Sequence, residues 1–448
     1  MTLAERVISA ARGGEEVEAY VARGHDVEVC AYDGDVESLS SATTGGVGVR
    51  VLLTGGAEGP RLGFAWAGSL EPEVVDETVR AARDNAAFAT PDAHLAFATP
   101  DGVDPAALDL WDPTVGEVPT DDKVALALDL ERRLRSADRR IRQVPSADYA
   151  DERVEVALAS TTGIRAVSRR TGAYLSAAAI AGEGADSHTG VGFSVARGFG
   201  GLDPDRVSIE AVERSTRMLG AVKPTSDRLT VIFDRRVVST LLGIISAALS
   251  GEAVVKGRSF FAGRTGEQVA TGSFTLVDDP TDPRAFRASA YDAEGLACRR
   301  NLLVESGVLL GFLYDTVSAR RAGTASTGSA VRGGYAGAPG VGARAVVLAP
   351  GDQSQEAIMS SVGEGLFVQS IIGVHSGVNP VSGDFSVGVE GLMVRDGKLA
   401  EPIREATVAS TLQRMLLSVV HVGNDLEWLP GVAAGQTVAV GDMQLSGN

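Results

Sequence analysis

Histidine is the side chain most often recruited for metal-assisted catalysis, and the histidines of this sequence are scattered. They are His25, His94, His188, His375 and His421. No two of them have the short helical spacing that places two imidazoles on one face of a zinc-binding helix. The spacing therefore favours ordinary surface or core histidines over a metal site. His375 and His421 are the pair we would expect to meet in a cleft, if any two do.

The sequence gives no stronger support for a nucleophilic or a phosphate-binding site. No GxSxG elbow follows a strand, and neither Cys30 nor Cys298 stands beside a histidine, so small buried side chains are the favoured interpretation for both cysteines. The glycine clusters Gly45–Gly48 and Gly333–Gly334 lack the Lys-Ser/Thr of a phosphate loop. We interpret both clusters as turns.

Composition and charge argue against several classes of protein. The chain has 448 residues, 44% of them hydrophobic, with 54 glycines, 5% aromatic residues and a net charge of −17. This charge repels phosphate backbones and argues against nucleic-acid binding. The N-terminal segment is interrupted by charges, and the longest uncharged stretch, 237–251, is shorter than the ~20 apolar residues of a membrane helix. Two distant cysteines and no membrane or secretory signal predict a cytoplasmic protein.

Alternating apolar residues predict several antiparallel strands in the first half, with turns at Asp33-Gly34 and Gly45-Gly46. Helical periodicity predicts helices near 3–12, 72–85, 121–137 and 203–219, the last with Asp203 as its N-cap and Pro204 at its first position. The fold class that follows is α+β, multi-domain, with antiparallel sheets, a few packed helices and a strand-rich C-terminal domain. We expect three domains, over residues 1–100, 121–222 and 226–448, with a linker over 101–120 between the first and the second.

The C-terminal half opens with the strand RLTVIFD and a helix over about 235–249 that Asp234 should cap. Small residues recur on this helix at Gly243, Ser246, Ala247 and Ser250. Their spacing predicts a face against which another element packs closely. An Asp396-Gly397 step further along predicts a tight hairpin turn.

The segments EGLFVQSIIGVHSGVNPVSGDFSVGVEGLMVRDGKLAEP (364–402) and HVGND (421–425) closely resemble the C-terminal domain of the TldD/PmbA family. The resemblance spans nearly the whole chain and is specific from about Arg228 onward. It implies a subunit of a two-subunit zinc metalloprotease. In that family one subunit carries an HExxxH motif and its partner, of PmbA (TldE) type, does not. This chain contains no HExxxH and resembles the partner.

An ungapped count from Gly251-Glu252 and FAGRTGE (261–267) places Leu242, Gly243 and Ala247 where the family has its first histidine, its glutamate and its second histidine. The catalytic branch also has a cysteine after VGND, and none follows here. The resemblance thus implies no catalytic residue and no cofactor in this chain. Zinc is expected in the partner subunit.

The resemblance implies that the chain forms a heterodimer with an HExxxH-bearing TldD-like subunit. It also implies an unfolded or precursor peptide as substrate. The candidate substrate or partner contacts are His375, Asn379, Asp384, Phe385, His421, Asn424 and Asp425. For Asp384, Asn424 and Asp425 a purely structural role in turns is the favoured alternative. A stand-alone homodimeric peptide-binding module, or a regulator without protease activity, stays open. No nucleic acid or membrane partner is expected.

Overall fold

The computed structural model describes residues 1–56 and 58–448. Within these residues the helices are α1 (Thr2–Ser9), α2 (Pro72–Phe88), α3 (Thr120–Ala137), α4 (Pro204–Thr216), α5 (Arg235–Ala248), α6 (Gly251–Val255), α7 (Thr316–Ala322), α8 (Gln355–Val362), α9 (Val374–Gly377) and α10 (Leu412–Leu417). None of these helices has the length and apolar composition that crossing a membrane requires.

Strands fall into two groups along the chain. The long ones of the first half are β1 (Glu15–Tyr32), β2 (Asp35–Leu53), β3 (Arg61–Ala67), β4 (Ile141–Ser160), β5 (Arg165–Ala181) and β6 (His188–Ala196). Those of the second half are β7 (Asp227–Phe233), β8 (Leu276–Asp278), β9 (Asn301–Glu305), β10 (Val308–Leu309), β11 (Ala330–Val331), β12 (Gly340–Val341), β13 (Val346–Leu348), β14 (Gly365–Ile372), β15 (Asp384–Arg395), β16 (Lys398–Thr411), β17 (Val419–Val422) and β18 (Val438–Ser446). The fold is α+β, as predicted.

The six strands of the first half form one antiparallel sheet in the order β3-β2-β1-β4-β5-β6. One face of this sheet, here called the helix face, is covered by α1 to α4, which pack on alternate apolar residues of β1 such as Val17, Ala19, Val27 and Val29. Because β1 pairs with β4, the segments predicted as two separate domains contribute to a single sheet. The domain boundaries themselves stay predictions.

The predicted turn at Gly45-Gly46 is wrong, whereas the one at Asp33-Gly34 is confirmed. β2 continues without a break from Asp35 to Leu53, and it pairs with β1 throughout. The glycines serve a different purpose, since a Cβ on Gly46 would lie 2.5 Å from the Tyr335 ring and one on Gly48 would lie 2.3 Å from the Tyr335 backbone oxygen. Glycine is needed here because another segment of backbone approaches the strand closely.

The second half is built on a six-stranded sheet in the order β16-β15-β14-β7-β18-β17, and an additional pairing of β16 with β18 curls it toward closure. β14 runs parallel to β7, which is an exception to the predicted antiparallel pattern. The Asp396-Gly397 hairpin is confirmed between β15 and β16, with positive φ at both residues as a two-residue turn requires. A large apolar core between this sheet and α5 includes Phe233, Leu242 and Phe385.

Candidate functional site

The direction of three strands gathers the predicted site segments at one edge of the second sheet. Val368 of β14, Phe233 of β7, Val438 of β18 and Val422 of β17 lie in register across it. β14, β7 and β17 run the same way, so their C-terminal ends meet at what we call the carboxyl edge. α5 follows β7 there, α9 follows β14, and the turn 423–425 follows β17.

Helix α5 begins at the carboxyl edge, where the Asp234 carboxylate accepts a hydrogen bond from the Arg236 backbone N–H at 2.9 Å, which confirms the predicted cap. The side chain of Leu242 is buried in the core beside Phe274 and Leu348. Gly243 is half-buried next to Val432, and Ala247 is exposed. Leucine, glycine and alanine side chains carry no lone pair, so these three positions do not fit a zinc ion.

The predicted close-packing face on α5 is only partly correct. Ser246 is buried, with its hydroxyl donating to the Gly243 carbonyl at 2.8 Å, but Ala247 lies on the solvent side. The helix is amphipathic, and its apolar stripe (Val238, Leu241, Leu242, Ile245) sets the buried face. The spacing of small side chains did not show which side of the helix is packed and which is exposed to solvent.

A pair of glutamate substitutions on α5 tests this orientation. Ala247→Glu is expected to change the free energy of unfolding by no more than about 0.5 kcal/mol, because the new carboxylate stays in water. Ala248→Glu places the same carboxylate at a position where alanine is 1% exposed. It should lower the free energy of unfolding by at least ~2 kcal/mol. Urea titrations of the two variants measure this difference. Equal losses in both would mean that the helix is rotated relative to this description.

The structure places four of the predicted contact residues around α9 and the start of β15. His375 is exposed on α9, and Asn379 is exposed in the loop that follows. The Asn379 side chain accepts from the Val381 backbone N–H at 2.9 Å, and Asp384 accepts from the Ser382 hydroxyl at 2.6 Å, so both shape the turn 379–384. Phe385 is 1% exposed, so its side chain is part of the core and offers almost no surface for a contact.

The remaining three lie at the end of β17. His421 is half-buried on the strand. Asn424 donates from its side-chain amide to the Asp352 carbonyl at 3.2 Å, and Asp425 accepts from the Thr437 backbone N–H and hydroxyl at 2.9 and 2.7 Å. Within the described residues His375 and His421 share no hydrogen bond, and no three His, Cys, Asp or Glu side chains are grouped to hold a metal ion.

An ion-pair network that the sequence did not reveal fixes α5 to the first half of the chain. Arg214 of α4 lies 3.1 Å from the Asp234 carboxylate, and its guanidinium also donates to the Gln369 carbonyl at 2.6 Å. Arg235 pairs with Glu210 of α4 at 3.3 Å and with Glu427 at 2.9 Å. These contacts join α4, β14 and the segment after β17, so the start of α5 is held from three sides.

A second buried cluster joins the first sheet to the second half of the chain. Glu18 of β1 is 2% exposed and accepts from Arg50 at 2.9 and 2.5 Å and from Arg332 at 2.8 Å. Nearby, Glu294 accepts from the backbone N–H and hydroxyl of Thr316 at 2.9 and 2.6 Å. Burial, opposed by the attraction of Arg50 and assisted by the charge of Asp292, raises the pKa of Glu294 to about 7. No local sequence pattern marks these residues, because their partners are distant along the chain.

Three domain models of one family match successive parts of the chain. They are PmbA/TldA metallopeptidase domain 1 over residues 17–86, the central domain over 113–219 and the C-terminal domain over 226–447. The Metalloprotease PmbA of Escherichia coli O157:H7 is 27% identical over 439 residues, which cover 96% of this chain and 92% of that protein.

Two solved structures share the fold. A protein from Thermotoga maritima, described as a proposed modulator of a DNA gyrase, superimposes with a TM-score of 0.90 at 23% identity and covers 99% of both chains. TldE from Thermococcus kodakarensis gives a TM-score of 0.87 at 23% identity, covering 100% of this chain and 98% of that one. Together with the matched domains, these likenesses show that the chain belongs to the PmbA/TldD/TldE family of metalloproteases.

Proposed function

We propose that this chain is the non-catalytic, TldE-like subunit of a two-subunit zinc metalloprotease. It pairs with an HExxxH-bearing TldD-like subunit and forms part of the cavity in which that partner cleaves unfolded or precursor peptides. The observation that carries the proposal is α5, which is held firmly by ion pairs at its N-terminal end and yet has Leu242, Gly243 and Ala247 at the positions that the resemblance assigns to the motif. The helix is built into the fold, while the donors that would hold zinc are replaced by groups that cannot.

An exposed apolar surface supports pairing with another chain. Val381 is 47% exposed, Leu417 is 50% exposed and Val420 is 50% exposed. The loop of Val381 is fixed to α10, because the Leu412 N–H donates to the Gly383 carbonyl at 2.7 Å and the Gln413 side chain donates to the Ser382 carbonyl at 2.8 Å. We call Val381, Leu417 and Val420 the pairing surface, since exposed apolar groups on adjoining segments favour protein association.

The peptide would be held beside this surface in an extended form. Within the described part of the chain β17 pairs with β18 on one side, and on the other side the segment 351–353 covers Val422 and Gly423, so the edge before Val422 is where a strand can be added through backbone hydrogen bonds. His421 on this strand, and Asn424 just beyond it, are the predicted contacts that such a peptide would meet. Selection of extended peptides follows, because a folded substrate offers no free strand.

The experiment mixes the purified chain with the HExxxH homologue encoded in the same genome. A heterodimer is expected by mass measurement in solution, with hydrolysis of an unstructured peptide by the mixture and by neither protein alone. Elemental analysis should find zinc only in the homologue. Full activity of the homologue alone, or a stable homodimer of this chain that ignores it, would contradict the proposal.

A matched pair of variants locates the contact. Val381→Glu combined with Leu417→Glu should weaken heterodimer formation by at least about tenfold, because two charges would be buried unpaired in the interface. Ile209→Glu changes another exposed apolar residue, 59% exposed on α4, and should leave pairing unchanged. Equal pairing by all three proteins would place the interface elsewhere.

A further inference from the structure

A cleft of about 720 Å³ lies on the face of the first sheet opposite the helix face. Its floor consists of alternate residues of β1, Tyr20, Ala22, Gly24 and Asp26, whose register partners on β4 include Val156, Val154 and Glu152. Segments 286–290 and 332–335 from the second half of the chain form the facing wall. The cleft is therefore built jointly by the two halves of the molecule, and none of the predicted site residues lines it.

The charge of the cleft is opposite to that of the protein. Six arginines line it, Arg23, Arg169, Arg170, Arg287, Arg332 and Arg344, against two acidic residues, Asp26 and Glu152. The whole chain carries a net charge of −17. Arg170 is paired with Glu152 at 3.1 Å and Arg332 with Glu18 at 2.8 Å, which leaves four of the six arginines without an ion pair among the described residues. An excess of cations within a concave surface concentrates the field that attracts an anion.

Two of these guanidinium groups have unused hydrogen-bonding capacity. The Arg332 side chain is 1% exposed, and its Nε and Nη1 have no partner among the described residues. The same is true of the Arg344 Nε. Burial lowers the pKa of Arg287, and the charges of Arg344 and Arg170 lower it further, which shows that the cations of the wall repel one another. Buried donors without acceptors and adjacent like charges are both relieved when an anion binds.

We propose that this cleft binds the carboxylate groups of an acidic, extended peptide. Arginine suits this ligand because its planar fork donates two parallel hydrogen bonds to one carboxylate. The inference rests on the proposed function for the choice of a peptide. It adds that the chain selects acidic sequences at a site separate from the carboxyl edge.

The shape and the surroundings of the cleft favour a peptide over a nucleic acid. Its volume lies within the ~300–1,000 Å³ of sites that take small ligands, which is enough for a few residues of a narrow chain. The floor offers mostly small and apolar side chains such as Ala22, Val154 and Val156. The aromatic residues of the cleft, Tyr20, Phe286 and Tyr335, come from three separate segments and form no continuous row for stacked bases. The net charge of −17 of the whole chain repels a long polyphosphate.

The test measures binding to this chain alone by fluorescence anisotropy. The probe is a labelled peptide of about eight residues that alternates Glu with Gly, compared with the same peptide carrying Gln for Glu. The Glu peptide should bind at least about tenfold more tightly, and the difference should shrink as salt is raised. Arg169→Gln combined with Arg287→Gln should remove most of this difference in affinity. These two guanidinium groups form no ion pair among the described residues, so they are free to bind the peptide.

The control is Arg80→Gln, which removes one positive charge, half of what the double variant removes, from an exposed position of α2 on the helix face and should leave binding within about twofold. Equal affinity for the Glu and Gln peptides, no effect of the double variant, or preference for a single-stranded oligonucleotide of equal charge would overturn the inference. Because the assay uses one chain and no hydrolysis, it is independent of subunit pairing. Acidic-peptide binding without activity in the mixture would contradict only the proposed function.

Discussion

Replacing Glu18 with glutamine is expected to lower the free energy of unfolding at neutral pH by about 3–5 kcal/mol. The Glu18 carboxylate is the shared acceptor of Arg50 and Arg332, and the side chains of all three are at most 4% exposed. Glutamine has the same shape but no charge, so it would leave two buried cations without a counter-ion. Urea denaturation at pH 7 measures the loss.

The pH dependence of the same variant provides a second readout. Burial by itself would raise the pKa of Glu18, but the charges and hydrogen bonds of Arg50 and Arg332 outweigh it and lower the pKa below its ordinary 4.5. Stability from this group is therefore complete above pH 4.5 and is lost as the pH falls through the lowered pKa. The difference between wild type and Glu18→Gln should shrink in acid.

The matched control is Glu252→Gln, which removes a carboxylate from an exposed pair with Lys256 on α6. Its effect should stay below about 1 kcal/mol, as is usual for surface ion pairs. If Glu18→Gln were as mild as this control, the Glu18 cluster would be open to water and its geometry here would be wrong.

Replacing Glu294 with glutamine should raise the free energy of unfolding above pH 7, and the effect should depend on pH in the opposite direction to that of Glu18→Gln. The Glu294 pKa of about 7 lies above the ordinary 4.5, so between these values the folded protein holds a proton that the unfolded chain has released. Stability from this group is present below pH 4.5 and declines as the pH rises to 7. At pH 8 the variant should exceed wild type by roughly 3 kcal/mol, given ~1.4 kcal/mol for each unit of pKa shift.

Near pH 4.5 the two proteins should unfold at nearly the same urea concentration, because glutamine resembles the protonated acid. Glu305→Gln, on the exposed side of β9, provides the comparison and should follow wild type at both pH values. A Glu294→Gln variant that is less stable than wild type at pH 8 would show that Glu294 is an ionised partner of Arg50 there.

Local signals in the sequence were reliable where a short stretch of chain decides its own structure. The Asp203 cap with Pro204 at the first position of α4, the Asp234 cap of α5 and the Asp396-Gly397 hairpin are all confirmed. Each depends on residues a few positions apart, whose hydrogen bonds or φ angles are set locally. The assignment of Leu242, Gly243 and Ala247 to the metal positions of the family depends on the resemblance, and the absence of zinc from this chain stays a prediction.

Features that depend on distant partners escaped prediction. Gly46 and Gly48 suggested a turn, whereas the ring and backbone of Tyr335, far away in sequence, explain them. Ala247 was expected to be packed, although its exposure depends on which side of α5 the core occupies. The arginines of the cleft come from strands and loops of both halves, so no window of the sequence shows that they converge.

The pairing of β1 with β4 has a consequence for how the chain folds as it is made. Glu18 to Ala31 of β1 are matched with Ala147 to Ser160, so this neighbour of β1 is synthesised more than a hundred residues later. Until then the hairpin of β1 and β2 presents a long unpaired strand edge, the kind of surface that captures other chains. Nascent protein at this stage should depend on chaperones, and truncation before residue 141 should yield aggregates instead of a folded N-terminal unit.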